Sequence, residues 1–146
     1  MPGLEDLYRE IILDHYKNPR NRGVLPPPAV RSEGHNPLCG DEIEVYLQVE
    51  NGVVADVKIA GQGCSISQSS ASMMSAAVKG KPVDEVHNLV HRFKHMMSIE
   101  EDTEPDMSIK LGDLEALQGV VKFPVRIKCA VLAWNTLAEG LEVATA

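Results

Sequence analysis

The stretch DEIEVYLQVENGVVADVKIA, residues 41–60, constrains this chain more than any other. Ile43, Val45, Leu47 and Val49 alternate with polar residues before a central Asn51-Gly52, and Val53, Val57 and Ile59 follow it. A period of two places each set on one face of a strand, and Asn-Gly is the strongest short signal for a tight hairpin turn. The segment therefore reads as a β-hairpin.

Helical periodicity surrounds it. Leu4, Leu7, Tyr8, Ile11, Ile12 and His15 or Tyr16 fall at helical spacing, which predicts an amphipathic helix over 4–16. It runs into KNPRNRGVLPPP, where Pro19 and Gly23 stop a helix. Lys17, Arg20 and Arg22 make this the most basic patch of the chain, readable as a solvated loop or as a docking site for an acidic surface. After the hairpin, GQGCSISQSSASMMSAAVKG is rich in Ser and Ala but not a linker, because Ile66, Met73, Ala77 and Val78 form one helical stripe. Its small residues would let that helix come close to a sheet. Gly80 suits its end, and Pro82 opens VDEVHNLVHRFKHMM. His87, His91 and His95 stand four apart on that second helix; with no cysteine or carboxylate pattern around them, a partly exposed face is the better reading than a metal trap.

The remainder is less regular. SIEEDTEPDMSIKLGD is acidic and reads as a connection or lid, DLEALQGV as a short helix capped by Asp113, VKFPVRIK as an extended passage broken by Pro124, and CAVLAWNTLAEGLEVA as a final amphipathic helix. A chain of 146 residues, 44% hydrophobic and 24% charged, fits one domain spanning 1–146. No apolar run approaches the roughly 18 residues of a membrane span, and the start MPGLEDLYRE is acidic where a secretory leader is basic, so a cytoplasmic location is expected with no membrane partner. The formal charge of −7 argues against a nucleic-acid partner.

Three widely spaced cysteines make a poor disulfide framework and a better metal site or reactive thiol. Cys39 stands in a turn before the first hairpin strand, Cys64 follows GQG at the start of the Ser-rich helix, and Cys129 starts the last helix. Helix N-termini favour thiolate over thiol, and Gly40, Gly61 and Gly63 would let the backbone come close to a shared ligand. The hairpin returns the chain near its start, so Cys39 and Cys64 can lie at one end of the sheet; if Cys129 joins them, Asp41 completes three sulfurs and one oxygen. That donor set suits zinc or one edge of an iron-sulfur cluster. Unrelated buried cysteines and a Cys/His nucleophile remain as alternatives on chemistry alone.

LYREIILDHYKNPRNRG, NPLCGDEIEVYL, GQGCSISQSSASMM and VRIKCAVLAWNTL resemble the U-type iron-sulfur assembly proteins, the family of IscU, SufU and the NifU N-terminal domain. The likeness extends over nearly the whole chain, and all three cysteines, Asp41 and both glycine turns fall within its motifs. It implies an α+β fold, a small antiparallel sheet of three strands with helices on one face, and a metal bound by Cys39, Asp41, Cys64 and Cys129. Scaffold members of the IscU type carry a histidine just before the third cysteine and an LPPVK motif for a chaperone. Here Lys128 and KFPVRIK stand in those places, and the chain between Cys64 and Cys129 is longer, both of which resemble SufU.

That branch implies bound zinc, a cysteine desulfurase of the SufS type as sulfur donor, and a persulfide carrier that hands sulfur on to assembly machinery or apo-proteins. The alternative is a scaffold on which iron or a 2Fe-2S cluster is assembled on the same ligands; a purely structural zinc domain is a third reading. Three thiolates and a carboxylate around a divalent ion leave an anionic centre, which Arg126 and Lys128 would offset if they are not simply a solvated strand end. Cys39, on a flexible turn while the other two sit at helix starts, is the expected sulfur acceptor.

Overall fold

The computed structural model describes residues 3–37, 40–99 and 104–145. In chain order these form α1 (Gly3–Lys17), β1 (Val30–Asn36), β2 (Asp41–Glu50), β3 (Val53–Gln62), α2 (Ser65–Val78), α3 (Val83–Met96), a 3-10 helix (Gly112–Lys122) and α4 (Pro124–Ala144). Asn51 and Gly52 take φ of 53° and 74° and close the hairpin as its sequence requires. The strands form one antiparallel sheet in the order β1-β2-β3, with Asn36 opposite Asp41 and Glu42 opposite Gln62. A register irregularity at Gln48/Val49 lets both flanking stretches keep their apolar residues on the inner face.

On that face Ile43, Val45, Leu47, Val57 and Ile59 are all buried. α4 covers β1 and β2, α2 lies against β3, and α1 sits on α2 and the 3-10 helix. The α+β architecture with a three-stranded antiparallel sheet and helices on one face is thus the one the chain adopts. β1 carries no apolar alternation; its sequence VRSEGHN gives no periodic signal. What places it is close approach. A Cβ on Gly34 would collide with Thr136 Oγ1 and stand 3.3 Å from Leu132, while Ser32 Oγ donates to the Thr136 carbonyl over 2.9 Å. A strand that is small where α4 crosses it can sit beneath that helix.

α2 is a helix, and its serines are the reason it fits. Ser69, Ser70, Ser72 and Ser75 are fully buried, and Ser69, Ser70 and Ser75 discharge their hydroxyls onto the carbonyls of Ile66, Ala130 and Ser72. Buried hydroxyls that find carbonyl acceptors cost little, and their small volume brings α2 and α4 together. Trp134 of α4 stacks on Phe93 of α3, with centroids 4.4 Å apart and planes 12° from parallel, and donates its indole N–H to Ser70 Oγ at 3.1 Å. Gly80 follows α2 at φ 81° and α3 begins directly after Pro82, as the sequence predicts.

Two expectations are corrected. VKFPVRIK is not extended: Pro124 is the first residue of α4, with Phe123 before it. Proline's fixed φ and missing N–H suit the first helical turn as well as they disrupt a helix interior, and here the first property applies. Cys129 therefore lies in the second turn of α4 and not at its start. Asp113 does not cap a short α-helix; Leu111 precedes a 3-10 helix of 11 residues, and the Asp113 side chain reaches instead toward His15. Of the acidic connection, residues 100–103 lie outside the described residues; 104–111 run without regular structure. Among the described residues no helix is long and apolar enough to cross a membrane.

Candidate metal centre

Asp41 opens β2 and is 1% exposed. Its Oδ1 accepts a hydrogen bond from the backbone N–H of Cys64 at 2.9 Å, while its Oδ2 is buried without a hydrogen-bond partner among the described residues. The approach needs Gly63, where a Cβ would run into the Asp41 carboxylate and stand 2.6 Å from Ser67 Oγ. Gly61, at φ 126° with the Glu42 carbonyl beneath it, bends the end of β3 into this turn.

Cys64 is the N-cap of α2. Its backbone is extended at φ −70° and ψ 168°, and its Sγ accepts from the N–H of Ser67 at 3.4 Å. A sulfur that caps a helix start receives an amide donor and lies at the positive end of the helix dipole. Cys129 is fully buried, with Sγ 3.9 Å from the Val125 carbonyl. A carboxylate oxygen of Asp41 and the sulfurs of Cys64 and Cys129 all lie within 4.8 Å of one another.

That arrangement fits a tetrahedral ion. Zinc bonds of about 2.3 Å to sulfur and about 2.0 Å to oxygen put neighbouring ligand atoms a little under 4 Å apart, within the span seen here. A buried carboxylate oxygen with no donor is costly unless a cation satisfies it. Asp41 Oδ2 is such an atom, and soft sulfur beside hard oxygen is a donor set zinc accepts. Cys39 lies outside the described residues. Gly40, which joins it to β2, has φ 69° and open space around its Cα.

Arg126 faces the sulfurs. The charge of Cys64 pushes the guanidinium pKa up, followed by its hydrogen bond to Cys129. Although exposed, this cation is therefore placed to offset negative charge on both thiols. Lys128 is exposed and forms no ion pair among the described residues. His87, His91 and His95 lie on α3, half-buried, half-buried and exposed, and belong to no cluster of potential ligands among the described residues. Beside the centre, a cavity of about 810 Å³ is lined by Tyr8 and Ile12 of α1, by Ser65 and Ile66 of α2, and by Phe123 and Arg126.

Other residues near the centre carry little sequence signal. The basic patch is used largely within the protein: Arg20 pairs with Asp14 at 2.6 Å, and Arg22 donates to the Gly61 carbonyl at 2.8 Å, while Lys17 is exposed. His15 is 3% exposed, with Nδ1 2.8 Å from Ser72 Oγ and Nε2 3.4 Å from Asp113 Oδ2. Burial lowers its pKa below 6.5, more than Asp113 raises it. The Ser-His-Asp order resembles a hydrolase relay, but Ser72 is fully buried and no substrate carbonyl can reach it.

Residues 7–141 match the NifU-like N-terminal domain. The chain is 50% identical over 138 residues to the zinc-dependent sulfurtransferase SufU of Bacillus subtilis, covering 94% of this chain and 91% of that protein. It is 41% identical over 136 residues to the iron-sulfur cluster assembly scaffold protein IscU of Thermotoga maritima, covering 93% of each. Its fold superimposes on the crystal structure of a nitrogen-fixing NifU-like protein (N-terminal) from Brucella abortus with a TM-score of 0.83 at 25% identity, covering 97% of this chain and 96% of that one. A match over nearly the full length, with two thiols and a carboxylate converging at one end of the sheet, leads to one conclusion: the chain belongs to the NifU-like N-terminal domain family, whose members include SufU and IscU.

Proposed function

We propose that this chain, as one domain over residues 1–146, is a zinc-dependent acceptor and carrier of sulfur. It works with a cysteine desulfurase of the SufS type in cytoplasmic iron-sulfur cluster assembly. The observation that carries the reading is the convergence of a carboxylate oxygen of Asp41 with the sulfurs of Cys64 and Cys129 within 4.8 Å, on a buried carboxylate whose Oδ2 has no hydrogen-bond partner among the described residues. Similarity to a zinc-dependent sulfurtransferase at 50% identity supports it. Cys39 is the fourth proposed ligand.

Zinc bound there would keep the thiols ionised and masked until a partner engages the centre. The chain's own residues supply the rest. The Cys39 thiolate attacks the outer sulfur of the desulfurase persulfide; a new S–S bond forms on Cys39 as the donor's S–S bond breaks, and the donor cysteine leaves as a thiolate. No oxidant or reductant is consumed. Arg126 stabilises negative charge at the neighbouring sulfurs, and the cavity beside it gives a partner's chain room to approach. Asp41, a harder and weaker zinc donor than a thiolate, would leave the site openable, and Cys39, beside Gly40, is the thiolate a partner would displace from the ion. Lys128, exposed one residue before Cys129, adds positive charge to that approach.

A 2Fe-2S scaffold on the same ligands is the second reading, favoured by 41% identity to an IscU scaffold protein. Elemental analysis together with desulfurase turnover separates the two. One zinc per chain, with a rise in turnover that disappears in Cys39→Ser, is expected; iron with acid-labile sulfide and no stimulation would establish the scaffold instead.

A further inference from the structure

The segment 20–23 is fixed to two elements at once. On one side the Arg20 N–H donates to Ser72 Oγ at 2.8 Å and Asn21 Nδ2 to Ser75 Oγ at 3.1 Å. On the other, the Gly23 N–H donates to the Ile59 carbonyl and the Ile59 N–H to the Asn21 carbonyl, each at 2.9 Å. The first set grips α2 and the second grips β3. Those are the two elements whose junction, residues 61–64, carries Cys64.

Between these grips stands Arg22. Its Nη2 donates to the Gly61 carbonyl at 2.8 Å and its Nη1 reaches Gln68 Oε1 at 3.4 Å. Gly61 lies at the β3 side of the junction. Gln68 lies one turn into α2, its N–H donating to the Cys64 carbonyl at 3.1 Å. One rigid guanidinium thus spans the turn from the strand to the helix, a reach its planar fork of donors allows and a single ammonium does not. Gln68 is itself 8% exposed, and its Nε2 has no partner among the described residues. The contact with Arg22 is what fixes which end of that carboxamide faces outward.

We propose that Arg22 is a positioning residue for the metal centre, holding the Gly61–Cys64 junction so that the Cys64 sulfur keeps its place beside Asp41 and Cys129. The proposal rests on the metal-centre reading above. Arg22 is exposed, and the segment around it is held by four other hydrogen bonds, so its removal leaves the fold standing while loosening one ligand. Groups that orient a ligand from outside the coordination shell act on metal affinity in this way.

The experiment is competition for zinc against a chromophoric chelator, with the cobalt(II)-thiolate absorption as a second readout, in the wild type, Arg22→Ala and Arg22→Lys. Arg22→Ala is expected to bind zinc about 10-fold more weakly and to change the cobalt bands, with the thermal midpoint of the zinc-free protein within about 3 °C of zinc-free wild type. Arg22→Lys, which can reach Gly61 but not span to Gln68, should recover part of the affinity. Unchanged affinity in Arg22→Ala, or a loss matched by a collapse in thermal midpoint, overturns the role of Arg22 while the metal centre stands. A wild type that holds no zinc overturns the metal-centre reading, and the role of Arg22 with it.

Discussion

The backbone N–H of Cys64 donates to Asp41 Oδ1 across 2.9 Å, tying together residues 23 apart in sequence. One carboxylate thus has two sides: Oδ1 holds the turn that delivers a thiol, and Oδ2 is buried with no hydrogen-bond partner among the described residues, open to an ion. Separate substitutions can resolve the two.

Asp41→Asn retains an oxygen able to accept from Cys64 and removes the anionic donor. The thermal midpoint of the zinc-free protein should stay near wild type while zinc affinity falls by more than about 10-fold, since loss of a ligand exceeds the effect of losing its support. Chelator competition and calorimetry on the same sample check this; wild-type zinc affinity would exclude Asp41 as a ligand.

Gly63→Ala places a methyl group against the Asp41 carboxylate and 2.6 Å from Ser67 Oγ. Neither neighbour is free to retreat, because Asp41 holds the Cys64 N–H and Ser67 Oγ donates to the Cys64 carbonyl. The expected loss is about 1–3 kcal/mol in urea unfolding, with substoichiometric zinc in the folded fraction. Full zinc occupancy and an unchanged urea midpoint would contradict the crowding described here.

His15 makes stability depend on pH. Desolvation keeps the neutral imidazole favoured, while the opposing Asp113, 3.4 Å away, is itself 65% exposed and screened by water. Arg20 also disfavours the charged ring and Asp14 weakly favours it. Because the folded pKa lies below 6.5, the unfolded chain takes up a proton that the folded chain refuses as pH drops through that value. Stability is therefore present above pH 6.5 and is lost progressively toward the folded pKa. Urea midpoints of the zinc-free protein between about pH 5 and 8 should slope downward on acidification, and His15→Gln should flatten that slope even if it lowers the plateau. Identical slopes would remove His15 as the cause.

Ser70 joins α2 to α4 twice, accepting from Trp134 Nε1 and donating to the Ala130 carbonyl at 2.5 Å. Ser70→Ala leaves a buried indole N–H without an acceptor, which costs about 1–3 kcal/mol. The chain has one tryptophan, so its emission reports the change directly. A loss below about 0.5 kcal/mol, the range of an ordinary surface substitution, would count against this hydrogen bond.

Local regularity was readable from the sequence where one face of an element is buried. The alternation through Ile43, Val45, Leu47, Val57 and Ile59 and the Asn51-Gly52 turn set the hairpin, and the apolar stripe with Gly80 and Pro82 at its end set α2 and the start of α3. Asp41 and Cys64 could be brought together because a hairpin returns to its origin. Cys129 arrives by packing: Gly34 under Thr136, and Gly140 against Leu47 and Ser32, determine where α4 lies, and no periodicity encodes that. Pro124 gives an ambiguous signal, because proline ends helices more visibly than it begins them. β1 escaped notice because its fit depends on a missing Cβ rather than on an apolar pattern.

The hydrogen bonds that join 21–23 to Ile59 have a counterpart at the other end of β3, where the Val54 N–H donates to Lys81 and its carbonyl accepts from Gly80. Together they occupy the outer edge of the sheet at both ends, the edge on which a neighbouring chain could otherwise add a strand. The opposite edge is β1, seven residues long, interrupted by Gly34 and carrying Arg31 and Glu33 as an exposed ion pair. A chain whose proposed work requires it to meet other proteins is thereby guarded against joining copies of itself, backbone to backbone.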